Sequence, residues 1–577
     1  MGRKPRPTGA VHVVTNRRKG KHREYVTHLL RRSWREGGKV RNETVGNLSH
    51  LPEHVVELVR AALTGERFVS FDERFRIERS LPAGHVEALL ALGRRLELGR
   101  VLDRRASRER ALCLAMIVQR VIGPGSKLAM TRAFQQSTLA PELGVEGADE
   151  DELYDALDWL LARQERIEAA LARRHLQEAT LVLYDVSSSY FEGRSCPLAK
   201  LGYSRDRKPG TPQIVYGLVC APDGCPIAVD VFAGSLHEDK TLPTQIDTLK
   251  HRFGLSSVIV VSDRGMVTKA NLELLRETEG AAWITALKAP QVKKLVKEGQ
   301  LQLSLFDQQN LAEIASDDYP DERLVVCRNP LVAQDRARKR EELLQATERA
   351  LREVARRVEQ GTLSGEAEIG LAVGAVWNRW RVRKHFALEI SDTSLSFERK
   401  QEQIDEEAAL DGIYVLRTSA TPEALAAADI VRAYKQLKEV ERGFRTLKGP
   451  LELRPIHHRL EDRVKAHVFL CMLAYYLTWH LRQAMKPLLF DDEAPPERPD
   501  PVAKASRSRS AARKAQTRRT AAGEPCHSLA TLLTELATRC RNTILLPATG
   551  ARFDQLTEPT IIQARALELV EHYQGNT

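Results

Sequence analysis

Five short apolar runs between residues 180 and 287 constrain this chain more than any other feature. They are Thr180–Tyr184, Gln213–Cys220, Pro226–Phe232, Ser257–Val261 and Ala282–Leu287, short and apolar, several of them rich in valine and isoleucine. That composition at that length predicts strands. Pro222-Asp223-Gly224 is a turn sequence that joins the second run to the third. Helices are predicted over 243–253, with Pro243 in the first turn, and over 269–277. Hairpin-linked strands followed by alternating helices and strands suit a mixed sheet with helices on its faces. The fold class is therefore α/β.

At 577 residues the chain is too long for one core, so the sheet has company. The first fifty residues are strongly basic, with Arg17, Arg18, Lys19, Lys21 and Arg23 placed before a strand-like run, Tyr25–Leu30. A second run, Lys39–Leu48, follows Gly37-Gly38, and the pair reads as a β-hairpin. Its basic side chains suit DNA contact, or an ordinary solvated face. From Pro52 to about Leu176 the apolar spacing is helical, as at Val86, Leu89, Leu92 and Leu96. Residues 341–360 read as a charged helix and 375–390 as strand carrying Trp377 and Trp380. Those tryptophans are core residues, or a platform for an unpaired base. Thr421-Pro422 reads as the start of a long helix ending near Leu447. Residues 491–525, rich in Pro, Ala, Arg and Ser, read as a flexible basic linker, and helices follow at 528–536 and 559–571.

The net charge of +11 and pI near 9.2 point to a polyanionic partner, nucleic acid being the commonest, or to a well-solvated surface. The eight cysteines form no CxxC pair and read as reduced structural thiols. The first residues lack the apolar stretch of a signal peptide, and Val468–Leu477 is too short to span a bilayer. A cytoplasmic protein without a membrane role is expected.

Asp185 follows the first strand and Asp263 the fourth. Carboxylates at strand ends can point out of the sheet and share a divalent cation, and hard oxygen ligands suit magnesium or manganese. Aspartate also starts turns, so either one alone says little. In the long helix Tyr434, Glu441 and Lys448 are seven apart and share a face, with Lys438 and Arg445 beside it. Solvent-exposed helices carry Glu and Lys at such spacings too.

Together these residues resemble the DDE transposases of bacterial insertion sequences, in the group with a Tyr-x2-Arg-x3-Glu-x6-Lys signature. Tyr434, Glu441 and Lys448 match three of its four positions, and Leu437 stands where the family has arginine. Gly202-Tyr203-Ser204-Arg205-Asp206, Gly234-Ser235-Leu236-His237 with Asp239, and Arg454-Pro455-Ile456 share the resemblance. It implies an RNase H-like core in which Asp185, Asp263 and Glu441 are catalytic and hold Mg2+ or Mn2+. Tyr434, Lys438, Arg445 and Lys448 would face DNA, and Arg17, Arg18 and Lys19 would bind it. The implied domains are a basic hairpin (1–51), a helical domain (52–178), the core (179–289 and 411–490) interrupted by an insertion (290–410), the linker (491–525) and a helical C-terminal segment (526–577). The implied activity is cleavage at element ends and strand transfer into target DNA by an oligomer on double-stranded DNA in the nucleoid. The rival readings are a metal nuclease that cuts without joining and a decayed transposase that only binds DNA.

Overall fold

The computed structural model describes residues 9–19, 24–66, 75–177, 180–193, 195–301, 310–497, 500–547 and 549–575. They divide into two compact units.

The smaller unit comprises Met1–Ser80 and Arg541–Leu556. Strands β1 (Ala10–Lys19), β2 (Glu24–Glu36) and β3 (Lys39–Asn47) form an antiparallel meander. Gly37 and Gly38, at φ +58° and +80°, make the β2–β3 turn, a conformation glycine adopts without steric cost. The helix Glu53–Leu63 packs on β1, where Arg60 donates to Thr15 Oγ1 at 2.8 Å. The expected hairpin is thus β2–β3, and β1 is an additional strand. Arg17, Arg18 and Lys19 lie within β1, paired with Val26, Tyr25 and Glu24, rather than ahead of the sheet. Lys21 and Arg23 fall outside the described residues. A second sheet, in the order β16-β15-β4, joins β4 (Arg76–Pro82) to β15 (Cys540–Leu546) and β16 (Ala551–Leu556). The regions 52–178 and 526–577 are therefore not purely helical.

The larger unit is built on eight strands: β5 (Thr180–Tyr190), β6 (Gln213–Cys220), β7 (Pro226–Ala233), β8 (Val258–Val261), β9 (Ala281–Ala286), β10 (Leu311–Ile314), β11 (Arg323–Arg328) and β14 (Ile413–Thr418). Their order is β10-β11-β14-β9-β8-β5-β6-β7. β5, β6 and β7 are antiparallel, β5, β8 and β9 parallel, and β9, β14, β11 and β10 antiparallel. The helix Glu461–Ala484 is buried nearly all round because it packs between β7 and the helices Arg108–Ile122 and Glu150–Leu161. Among the described residues no single helix is long and apolar enough to cross a membrane.

Several boundaries differ from the sequence reading. The region 290–410 contributes β10 and β11 to the main sheet, so it is only partly an insertion. Its remainder has a core of its own, including Leu344, Leu351, Ile369, Val373 and Phe386. The helices Pro330–Glu359 and Glu366–Trp380, the ribbon β12 (Phe386–Ile390) and β13 (Leu395–Arg399), and the helix Gln401–Ala408 supply it. Trp377 and Trp380 are helical, not in a strand: Ile369, Val373, Trp377 and Trp380 recur at helical spacing and pack on that core. The long helix begins at Ala427, because Thr421 closes a turn in which Leu425 N donates to Thr421 O at 3.0 Å. The presumed linker contains the helix Arg509–Thr517, capped by Ser508. Buried Lys514 donates to Lys486 O at 2.9 Å and Leu489 O at 3.2 Å and pairs with Glu493.

Among the described residues of 491–525, these bonds make a packed segment. Lys514→Ala should cost about 1.5–3 kcal/mol, the scale of a hydrogen-bonded charge. It should also accelerate tryptic cleavage between Lys504 and Arg519. Unchanged cleavage would return the segment to a flexible linker.

Candidate active site

Asp185 lies inside β5, not at its end, and its reach into open space comes from its neighbour. β8 runs parallel to β5 only as far as the pair Leu183–Val261. Asp185 and Asp263 each stand two residues beyond that pair. Alternate residues of a strand share a face, so the register carries both carboxylates to the same side where β8 ends. Asp263 is exposed in the turn after β8, and its Oδ1 accepts from Arg264 N at 2.8 Å. Asp185 is half-buried, and its Oδ1 accepts from Val186 N at 2.8 Å.

The helix Ala427–Lys448 covers this side. Ile430, Val431, Val440, Phe444 and Leu447 are buried, and Phe444 meets Tyr216 of β6 edge to face at 5.6 Å. The other face lines a cavity of about 770 Å³ whose wall includes Asp185, Asp263, Glu441, Tyr434 and Arg445. Lys438, Lys448 and Leu437 line it as well. The seven-residue spacing and the strand register therefore converge on one place. Glu441 is exposed there.

The electrostatics are uneven. Burial pushes the Asp185 carboxyl up to about 7, with Asp263 and Glu238 adding to the rise and Arg205 opposing it. Burial and the adjacent Asp263 push the Tyr434 hydroxyl up to about 12. Among the described residues the three carboxylates are not all within 4.8 Å of one another. Their chemistry still fits a hard divalent ion: oxygen donors converge on one cavity, and burial together with the neighbouring carboxylates Asp263 and Glu238 holds Asp185 back from ionising.

Lys448 departs from expectation. Its ammonium donates to Ser188 O at 2.6 Å and Asp206 Oδ1 at 3.0 Å, and its side chain is 12% exposed. Asp206 also pairs with Arg454, and its other oxygen accepts from Tyr190 N at 3.0 Å. Lys448 is thus a tether between helix and sheet rather than a free cation facing DNA. Lys438 and Arg445 are exposed, and Leu437 is half-buried against the core. Arg17, Arg18 and Lys19 belong to the smaller unit and are exposed there.

Two residues of the site escaped the sequence reading. Arg205 donates to Val186 O and pairs with Glu238. Of the segment His237–Asp239, it is Glu238 whose charge bears on Asp185. Arg205 and Asp206 stood within a matched motif, but only the fold shows what they touch. Outside the cavity, His175, Cys225 and His480 bring ligand-type atoms within 4.8 Å of one another. The histidines hydrogen-bond Tyr476 and Tyr573, at 3.0 Å and 2.8 Å.

Removing the Asp206 carboxylate would leave two cations without their partner. Asp206→Ala should cost about 3–5 kcal/mol, read as a shift in the urea midpoint; a shift below about 1 kcal/mol would remove the clamp. A second expectation concerns pH in chelator. The folded carboxyl of Asp185 titrates near 7, above its ordinary 3.8. Between those values the folded state holds more protons than the unfolded one, so this group lowers stability as pH rises through the window. Asp185→Asn should therefore melt above wild type at pH 8, with the gap closing by pH 4. An equal gap at both pH values would contradict this.

The family profile described as "Transposase DDE domain" matches residues 180–477, just over half of the chain. That described as "IS1634 family transposase, N-terminal domain" matches residues 11–70. No curated protein matches the chain. A solved structure of the piggyBac transposase synaptic complex with hairpin DNA is similar at 9% identity over 70% of this chain and 73% of that one. Its TM-score of 0.33 is too low to carry an argument. The profile spanning β5 to the helix Glu461–Ala484 covers all three carboxylates, and by it the chain belongs to the DDE transposases of insertion sequences, enzymes that act on DNA with divalent metal.

Proposed function

We propose that Asp185, Asp263 and Glu441 hold the metal ions, Mg2+ or Mn2+, with which this transposase cleaves DNA at the ends of its element and joins them to target DNA. The observation that carries the assignment is that one cavity collects all three carboxylates from β5, the turn after β8 and the helix Ala427–Lys448. The order β7-β6-β5-β8-β9, antiparallel then parallel, supports an RNase H-like core, and the separately cored part of 290–410 is its insertion between Asp263 and Glu441.

When bound, the ions would supply Lewis acidity at the attacking and leaving oxygens of an in-line displacement. The chain's own residues do the rest. Arg205 places positive charge beside Asp185 and fixes the β5 backbone through Val186 O. The Tyr434 hydroxyl stays protonated beside Asp263 and can donate to a phosphate oxygen. Lys438 and Arg445 draw the DNA backbone toward the cavity. In the first step a water oxygen attacks and frees a 3′-hydroxyl at the element's end; in the second that hydroxyl attacks a target phosphodiester. Arg17, Arg18 and Lys19 supply exposed charge for holding the ends, and the protein acts as an oligomer on double-stranded DNA within the nucleoid.

Asp185→Asn, Asp263→Asn and Glu441→Gln should each abolish cleavage of DNA carrying the element's ends, in magnesium and in manganese. Each should keep end binding near wild type, because the basic surface supplies most of the affinity. Cleavage retained by one variant would sink that residue's assignment. Pre-cut ends should yield joined products with wild type. Replacing Arg17, Arg18 and Lys19 together by alanine should weaken end binding and flatten the slope of log K against log salt by about 2–3, near one per lost phosphate contact. An unchanged slope would place end recognition elsewhere.

A further inference from the structure

Two cations lie buried beside the turn Gly123–Gly125. Arg120 ends the helix Arg108–Ile122 and Lys127 begins the helix Lys127–Ala133, and each is only 3% exposed. Arg120 Nη2 donates to Gly125 O at 3.3 Å, while its Nε is buried without a partner. Among the described residues neither forms an ion pair with a carboxylate. Burial and the neighbouring Arg120 push the Lys127 ammonium down to about 7. A buried charge is costly unless paired, and two of the same sign repel. This is the signature of a place built for an anion.

Both side chains line a cavity of about 490 Å³, together with Arg454, Arg463, His458 and His467. Arg463 is held at 3.5 Å by Asp158, and His467 Nδ1 is buried without a partner. Among the described residues, the one carboxylate in the lining is Glu452. Burial and the surrounding cations push His458 down to about 3 and His467 well below its ordinary value, so these two imidazoles are neutral and the standing positive charge rests chiefly on the arginines. Arg454 lines this cavity and the cavity of the three carboxylates alike, so the two adjoin.

We propose that the Arg120–Lys127 cavity is a phosphate subsite, and that it takes a backbone phosphate of the DNA strand lying in the adjoining cleft. This rests on the reading of that cleft as the place where DNA is cut. The shared wall at Arg454 favours DNA over a free phosphate-bearing molecule, because a strand in one cavity passes within a single side chain of the other. The phosphate neutralises Arg120 and Lys127 together, which makes DNA binding the event that relieves their burial.

The test uses the full chain carrying Lys127→Met, which keeps an unbranched side chain and removes the charge, with Arg120→Gln as the second variant. Without DNA, Lys127→Met should melt at or above wild type, since an unpaired buried charge is gone. Inorganic phosphate, against chloride at equal ionic strength, should raise the melting temperature of wild type and not of the variant. Binding to the element's ends, measured without metal, should weaken about tenfold with a salt slope shallower by about one. A single neutral methylphosphonate, scanned along the strand, should weaken wild type at one linkage and leave Lys127→Met unaffected there. A variant that melts well below wild type, or one with unchanged affinity, slope and methylphosphonate profile, would overturn the proposal. Phosphate stabilisation with unchanged DNA binding would overturn the DNA assignment and leave a site for a free phosphate-bearing molecule. Because binding is read without metal, its failure is distinguishable from retained cleavage by Asp185→Asn, which would sink that residue's catalytic assignment.

Discussion

The buried carboxylate of Asp206 joins the end of β5 to a stretch of chain far away in sequence, the end of the helix Ala427–Lys448 and the residues after it. It accepts from Tyr190 N at the end of β5, from Lys448 at the end of the helix Ala427–Lys448, and from Arg454 just beyond. Two cations around one carboxylate leave the cluster with excess positive charge at the cavity wall. Low local dielectric strengthens each pairing and makes an unpaired member costly, so the cluster holds as a unit. The placement of Glu441 in the cavity that Asp185 also lines depends on it, because Glu441 lies two turns from the tether at Lys448.

Charge is arranged in layers around that clamp. Negative charge collects where the sheet opens, at Asp185, Asp263 and Glu441, and burial, with Asp263 and Glu238 adding to it, raises the proton affinity of Asp185. Positive charge surrounds it, on Arg205, Lys438 and Arg445 and, past Arg454, on Arg120 and Lys127. The inner layer suits a cation and the outer layer suits a polyanion. A protein that brings metal and phosphodiester together needs both, and each layer is unsatisfied without its guest.

Much of the catalytic sheet was legible in the sequence. The runs at Gln213–Cys220, Pro226–Phe232 and Ser257–Val261 became strands within a residue or so of the expected bounds, since short buried strands read as unbroken apolar runs. Asp263 stood where expected. The insertion was harder: its tryptophans suggested a strand, while the four-residue spacing of Ile369, Val373 and Trp377 made a helix. Residues 491–525 looked like a linker because their apolar content is low, yet Lys514 packs them through hydrogen bonds that composition does not reveal.

By itself, the sequence determined the succession of strands and helices from 180 to 287 and the helix face shared by Tyr434, Glu441 and Lys448. These follow from local periodicity, which neighbouring residues encode. Only the tertiary structure decided that Asp185 reaches the cavity from within β5, because that depends on where β8 stops pairing. Only it turned Lys448 from a free cation into a tether, since Asp206 lies far away in sequence. It alone brought Arg120 and Lys127 beside Arg454. Long-range electrostatic pairing leaves no periodic trace along a chain, and in this protein it fixes which charges are spent on the fold and which remain for DNA.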